Sequence, residues 1–279
     1  MAIVALINYH SGSVPPDAQD LLRHHLGNDL TRLLSCSGDE LLDALDDIVL
    51  QCDDTLIVWG GDGTLSAALT ASKGSGAAVL PLPGGTMNLL HKRVHGKLAR
   101  WDDLLDRALR APRPEPLTHA VANERNIYVG LTLGRLTNLA EAREALREGA
   151  PIEATKAAVA QNALDLETDI EAQIGTSSYQ ATAAAAFTPE GISGDELEVG
   201  LIDPDTLAGL ATLSLSAMLA DWRNAQGMTY RKCQHAVFRR MSGSSFDALI
   251  DGEPVDLGDE VTIRIERSDV LVRSATGSA

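Results

Sequence analysis

Short apolar runs and helical patterns take turns along roughly the first 115 residues. AIVALIN (2–8) is apolar almost throughout and predicts a strand buried on both faces. PPDAQDLLRHHL (15–26) opens with prolines and then sets Leu21, Leu22 and Leu26 on one helical face. TRLLS (31–35) reads as a second strand. GDELLDALDDIVLQ (38–51) predicts an amphipathic helix with Leu41, Leu45 and Ile48 in register. DTLIVW (54–59) and AAVLPL (77–82) follow as a third and a fourth strand, with helices from Thr64, from about Asn88 and over WDDLLDRALR (101–110). Such alternation predicts an α/β domain whose parallel sheet is covered on both faces.

The pattern breaks at APRPEP (111–116), where three prolines in six residues suit a junction between domains. Beyond it the period changes. NIYVGLTL (126–133) is strand-like, LAEAREALREG (139–149) is a short helix, and ALDLETDIEAQIG (163–175) and DEVTIRIE (259–266) alternate with period two. Domains of 1–116 and 117–279 are expected. The second is mainly antiparallel β, with a C-terminal tail free to return to the first. Asp251-Gly252 between two apolar runs predicts a two-residue β-hairpin turn.

Composition narrows the partners. The 279 residues carry 39 Asp and Glu against 23 Lys and Arg, a formal net charge of −16. Nucleic acid is bound by basic surface, so it is not an expected partner. One basic run, HKRVHGKLAR (91–100), offers Lys92, Arg93, Lys97 and Arg100 to a phosphate or an anionic headgroup, or is simply a solvated helix face. Cys36, Cys52 and Cys233 follow no metal-ligand spacing and read as free thiols of a reducing, cytoplasmic compartment. No apolar stretch approaches the roughly 18 residues of a membrane span, and MAIVALINYH lacks the basic start of a signal peptide. Contact with a membrane, if any, is expected to be peripheral, at the inner face. A homodimer is compatible with the sequence.

Candidate chemistry lies at the strand ends. GGDGT (60–64) follows the third strand, where ligands of open α/β sheets bind. Backbone N–H groups there, with a helix N-terminus behind them, form an anion site. A tight strand-to-helix turn explains GGDGT taken alone, and no lysine follows it as in a Walker A loop. Two more strand ends carry the same residue types. INYHSGSV (7–14) supplies Asn8, Ser11 and Gly12, and PLPGGTMNLL (81–90) supplies Gly84, Gly85, Thr86 and Asn88. Three such ends on one sheet are hard to explain by turn chemistry.

With NYHSG, GGDGT, GGTMN and, near the C-terminus, LIDGE in this order, the chain resembles the diacylglycerol kinase catalytic-domain family, which includes bacterial lipid kinases and sphingosine kinases. The four motifs span almost the whole chain. The resemblance implies an α/β nucleotide-binding domain followed by a β-sandwich domain. It implies a kinase that moves the γ-phosphate of ATP, with Mg2+, to a hydroxyl of a lipid, diacylglycerol or sphingoid-like. By position, Asn8, Tyr9, His10, Ser11 and Gly12 would contact ATP, as would Ser35, where the family usually has Thr. Gly60, Gly61, Asp62, Gly63, Thr64, Leu65 and Ser66 would cradle the phosphates, with Thr86 added from the fourth strand. ISGDELEVG (192–200) would hold Mg2+ at Asp195 with the carbonyls of Ile192 and Leu197. Glu253 matches the family's base, and Asp62 would place metal or polarise the acceptor. Because GGDGT is shared with dinucleotide kinases, a kinase of a soluble dinucleotide or sugar is the alternative. A relative that binds nucleotide or lipid without turnover is another.

Overall fold

The computed structural model describes residues 2–96, 99–111, 113–134, 168–202, 223 and 228–276. Lys97, the helix expected over 139–149 and residues 163–167 of the alternating stretch 163–175 lie outside the described residues. Contacts divide the chain into two compact units. One is Met1–His119 with Pro189–Gly194 and Glu266–Ala279; the other is Ala120–Thr188 with Asp195–Ile265.

The first unit runs β1 (Ile3–Asn8), α1 (Ala18–Leu26), β2 (Leu30–Cys36), α2 (Leu41–Asp46), β3 (Thr55–Gly60), α3 (Asp62–Ser72), β4 (Ala78–Pro83), α4 (Leu89–His95) and α5 (Trp101–Arg110). Its strands pair in the order β2-β1-β3-β4, all parallel. Every residue of β1 and β3 is buried, as continuous apolar strands under helices on both faces require. Ile7, Ile57, Trp59, Leu80 and Leu82 pack with Leu22 of α1 and Leu104 and Leu105 of α5 in one core. The second helix is shorter than its pattern predicts. It ends at Asp46, and Ile48 lies beyond it, half-buried. Asp46 and Asp47 at a helix C-terminus oppose the macrodipole, and the β-branched pair Ile48-Val49 does not favour another turn.

The second unit takes in β5 (Glu115–Ala122) from Ala120, then β6 (Arg125–Ile127), β7 (Gly130–Gly134), β8 (Ile170–Ile174), β9 (Ser177–Ala181), β10 (Ala183–Phe187), β11 (Leu197–Ile202), β12 (Met228–Cys233), β13 (His235–Arg240), β14 (Asp247–Ile250), β15 (Glu253–Asp256) and the start of β16 (Glu260–Val272). One antiparallel sheet orders β12-β11-β10-β7-β14-β15, and β13 pairs antiparallel with β8 and with the start of β16. Leu131, Leu133, Ala184, Ala186 and Val199 from the first set share a core with Ala172, Phe238, Val261 and Ile263 from the second. This is the β-sandwich that period-two patterning implies. NIYVGLTL proves to be two strands, interrupted at Tyr128 and Val129. The last residues of β16 return to the first unit, where Leu271 and Val272 pair parallel with Ala78 and Val79 of β4.

Candidate functional site

The loops after β1, β3 and β4 meet at the carboxyl end of the parallel sheet and are tied to one another. Asn8, at the end of β1, is buried; its Nδ2 donates to Thr64 Oγ1 (2.9 Å), and its Oδ1 accepts from the His10 N–H. Ser11 Oγ accepts from the Gly61 N–H at 3.1 Å. Ser13 donates twice to the β4 loop, from N–H to Gly84 O (2.9 Å) and from Oγ to Gly85 O (3.0 Å). Asn88, in the left-handed region at φ 51°, exchanges two hydrogen bonds with the Gly85 backbone.

Two of the glycines have a steric explanation of their own. A Cβ on Gly84 would lie 2.8 Å from Gly60 Cα, and one on Gly85 would lie 2.7 Å from Gly61 Cα. The β3 and β4 loops therefore pass backbone against backbone, closer than any side chain permits. Gly61 is different: a Cβ there meets nothing nearer than Gly85 Cα at 3.5 Å. The packing of the loops does not require a glycine at 61.

Asp62 opens α3 and reaches across to α4. Its Oδ2 accepts from the Leu89 N–H (3.1 Å) and its Oδ1 from the Leu90 N–H (2.9 Å), two of the donors that a helix start leaves without partners. The loop carboxylate is thus fixed in place by the next element. α4 in turn holds two buried histidines. His95 Nε2 lies 2.8 Å from Pro81 O and its Nδ1 accepts from the Ala275 N–H (3.0 Å). The His91 ring lies 4.7 Å from that of His95. Burial, with the neighbouring His95 and Lys92, pulls His91 down to about 3, and burial pulls His95 down to about 4.

The residues expected at a nucleotide differ in what they present. Gly60, Thr64 and Leu65 are buried, and the Thr64 hydroxyl is the acceptor for Asn8. Tyr9, His10, Gly12 and Thr86 are exposed, while Ser11, Gly61, Asp62, Gly63 and Ser66 are half-buried. The Ser35 hydroxyl, at the end of β2, is buried without a hydrogen-bond partner among the described residues. Sequence reasoning missed Ser13, whose signal is only a serine near the β1 loop, and the Asp62–α4 link, which has none.

Ile192 belongs to the first unit, and Asp195, Leu197 and Glu253 belong to the second. The Ile192 carbonyl accepts from the Thr118 N–H at 2.8 Å. Asp195 is an exposed carboxylate, and among the described residues no three His, Cys, Asp or Glu gather as metal ligands. One carboxylate, carbonyls and water are still a donor set that Mg2+ accepts. Glu253 begins β15, exposed, its carboxylate without a hydrogen bond among the described residues. It follows a two-residue turn in which Asp251 (φ 51°) and Gly252 (φ 94°) both take positive φ, as the hairpin reading requires.

The described residues of the basic run do not form one patch. Arg93 turns inward, its Nε donating to Pro189 O and Gly191 O and its Nη2 to Thr118 O. Arg100 pairs with Asp102, a contact that lowers the Asp102 carboxyl to about 2. Lys92 is exposed.

Comparison with known proteins adds the following. Residues 4–115 match the family model of the diacylglycerol kinase catalytic domain. No curated protein matches the chain in sequence. Two solved structures of a provisionally assigned diacylglycerol kinase from Bacillus anthracis strain Sterne superpose with TM-scores of 0.68 and 0.67 at 13% identity, covering 98% of this chain and 96% of theirs. A third, of a diacylglycerol kinase from the same organism, gives 0.61 at 11% identity with the same coverage. These structures share the two-domain fold across nearly the full length. Residues 4–115, with their three tied loops, are the part of the chain that resembles the diacylglycerol kinase catalytic domain.

Proposed function

We propose that this chain is an ATP-dependent kinase that transfers the γ-phosphate to a hydroxyl of a lipid, diacylglycerol or sphingoid-like. The observation that carries the reading is the knot of three loops at the carboxyl end of the parallel sheet, inside the segment that matches the kinase family. Gly61, Gly12 and Thr86 leave accessible surface above it, and the 11-residue helix α3 starts beneath it. Open backbone at a helix start suits a polyphosphate. Phosphoryl transfer asks the protein chiefly for positioning and charge neutralisation. The loops would hold the phosphates, and Asp62 would keep the β3 loop in register with α4. Mg2+ bound with ATP would neutralise the phosphate oxygens. Glu253, a carboxylate with no other engagement among the described residues, would accept the proton of the incoming hydroxyl. Access to the lipid would be peripheral, since no helix of the described residues is long and apolar enough to cross a membrane.

The test is transfer from γ-labelled ATP, with Mg2+, to diacylglycerol, sphingoid bases and a cell lipid extract, beside dinucleotides and sugars. A labelled lipid phosphate is the expected product, and Glu253→Gln should abolish it while ATP affinity, read by calorimetry, stays within about a few-fold. Label in a soluble acceptor would replace the lipid with that substrate. ATP binding without transfer to any acceptor would make the chain a non-catalytic relative.

A further inference from the structure

The segment between β6 and β7 is held by a side chain from the hairpin on which Glu253 stands. Asp251 Oδ1 accepts from the N–H groups of Val129 (2.8 Å) and Gly130 (3.0 Å), and its Oδ2 accepts from the Tyr128 N–H (3.0 Å). The Asp251 N–H donates back to Gly130 O at 2.9 Å. Thr188 closes the same segment from the other side: its N–H donates to Val129 O, and its hydroxyl donates to Tyr128 O and Val129 O. Three consecutive N–H groups that leave the strand ladder are thus satisfied by one carboxylate. A carboxylate is acceptor-only and can take all three; an amide would turn an NH2 toward one of them.

A hairpin turn needs none of this. Positive φ at Asp251 and Gly252 is served as well by Asn-Gly or Gly-Gly. What the carboxylate adds is a fixed attachment of the hairpin tip to a second backbone segment. Glu253 is two residues along, exposed, and its side chain has no hydrogen bond among the described residues. Its position is therefore inherited from the turn.

We propose that Asp251 is a positioning residue for Glu253: by clamping the Tyr128–Gly130 backbone it fixes the hairpin tip from which Glu253 meets the acceptor hydroxyl. The inference rests on the kinase reading above. Asp251→Asn and Asp251→Gly both keep a residue suited to positive φ; the glycine removes all three acceptor contacts and the asparagine sets an NH2 against the Tyr128 N–H, so the turn survives while the clamp is lost in one and broken at Tyr128 in the other. In both variants, amide exchange over 126–133 and 247–256 should accelerate. The kcat for phosphoryl transfer should fall about tenfold or more, the scale of a small misplacement of a reacting group, while KM for ATP holds. Thr188→Val is the control: it loosens the same segment from the side away from the hairpin, and kcat should stay near the wild-type value.

Wild-type kcat in the Asp251 variants, or unchanged exchange, would overturn the proposal. So would an equal loss of kcat in Thr188→Val, which would make Asp251 one packing contact among others. A wild-type protein that transfers phosphate to no acceptor would overturn the kinase reading instead, and the exchange data would then decide the clamp by themselves.

Discussion

His91 is fully buried, and among the described residues neither of its ring nitrogens has a hydrogen-bond partner. His95 beside it uses both of its nitrogens, toward Pro81 and Ala275. Lys92 and His95 on α4 discourage a charge on His91, and Arg107 of α5 does the same for His95. Both rings fold neutral and would titrate near their ordinary value only in the unfolded chain. The unfolded state then binds more protons below about pH 6.5, so stability is complete above that value and drains away as pH falls towards 4. Each histidine contributes about 1.4 kcal/mol per pH unit across that window. His91→Leu removes one of the two and an unpaired polar group as well. The variant should melt at or above the wild-type temperature at pH 7.5, and its advantage should widen steadily towards pH 4. Parallel acid limbs for the two proteins would contradict this account. Nothing in the run HKRVHGKLAR marks these histidines as buried, because the same letters read as a basic surface face.

At the scale of elements, the strands and their loops were legible because each rests on a local signal. A continuous apolar run marks a strand covered on both faces, and glycine with small hydroxyl residues marks its end. The hairpin before Glu253 was legible for the same reason. What stayed hidden are contacts between elements distant in sequence. Examples are the Asp62 carboxylate on the N-terminus of α4 and Arg93 on the carbonyls of Thr118, Pro189 and Gly191. The glycines show both kinds of information at once. Gly85→Ala would drive a Cβ into Gly61 Cα, so it should lower the melting temperature and weaken ATP together. Gly61→Ala meets ordinary contact distances, so it should melt like the wild type and weaken ATP alone if phosphate approaches there. Thermal melts beside nucleotide titrations separate the two effects. Equal melting losses in both variants would show that position 61 is a packing glycine too.

On the scale of the whole molecule, the first unit is built from three stretches of chain, and its last one carries many of its bonds. Arg273 is buried, with Nε on Thr55 Oγ1 (2.9 Å) and Nη1 on Ala111 O (3.2 Å). Ser274 Oγ donates to Val94 O (2.7 Å), and the Ala275 N–H meets His95. Deleting residues 273–279 removes these bonds and should lower stability by on the order of 3 kcal/mol, read from urea unfolding. A tail that could be cut without cost would make these bonds incidental. The order of synthesis gives the same feature another meaning. When residue 119 leaves the ribosome, the free side of β4 has no partner, because the strand that completes it is encoded some 150 residues later. At about 5–20 residues per second, that edge waits on the order of 10 seconds. An open, apolar strand edge is a template for pairing with another chain. The nascent protein should therefore lean on a chaperone during that interval, and messages that stall or end before codon 272 should yield aggregates.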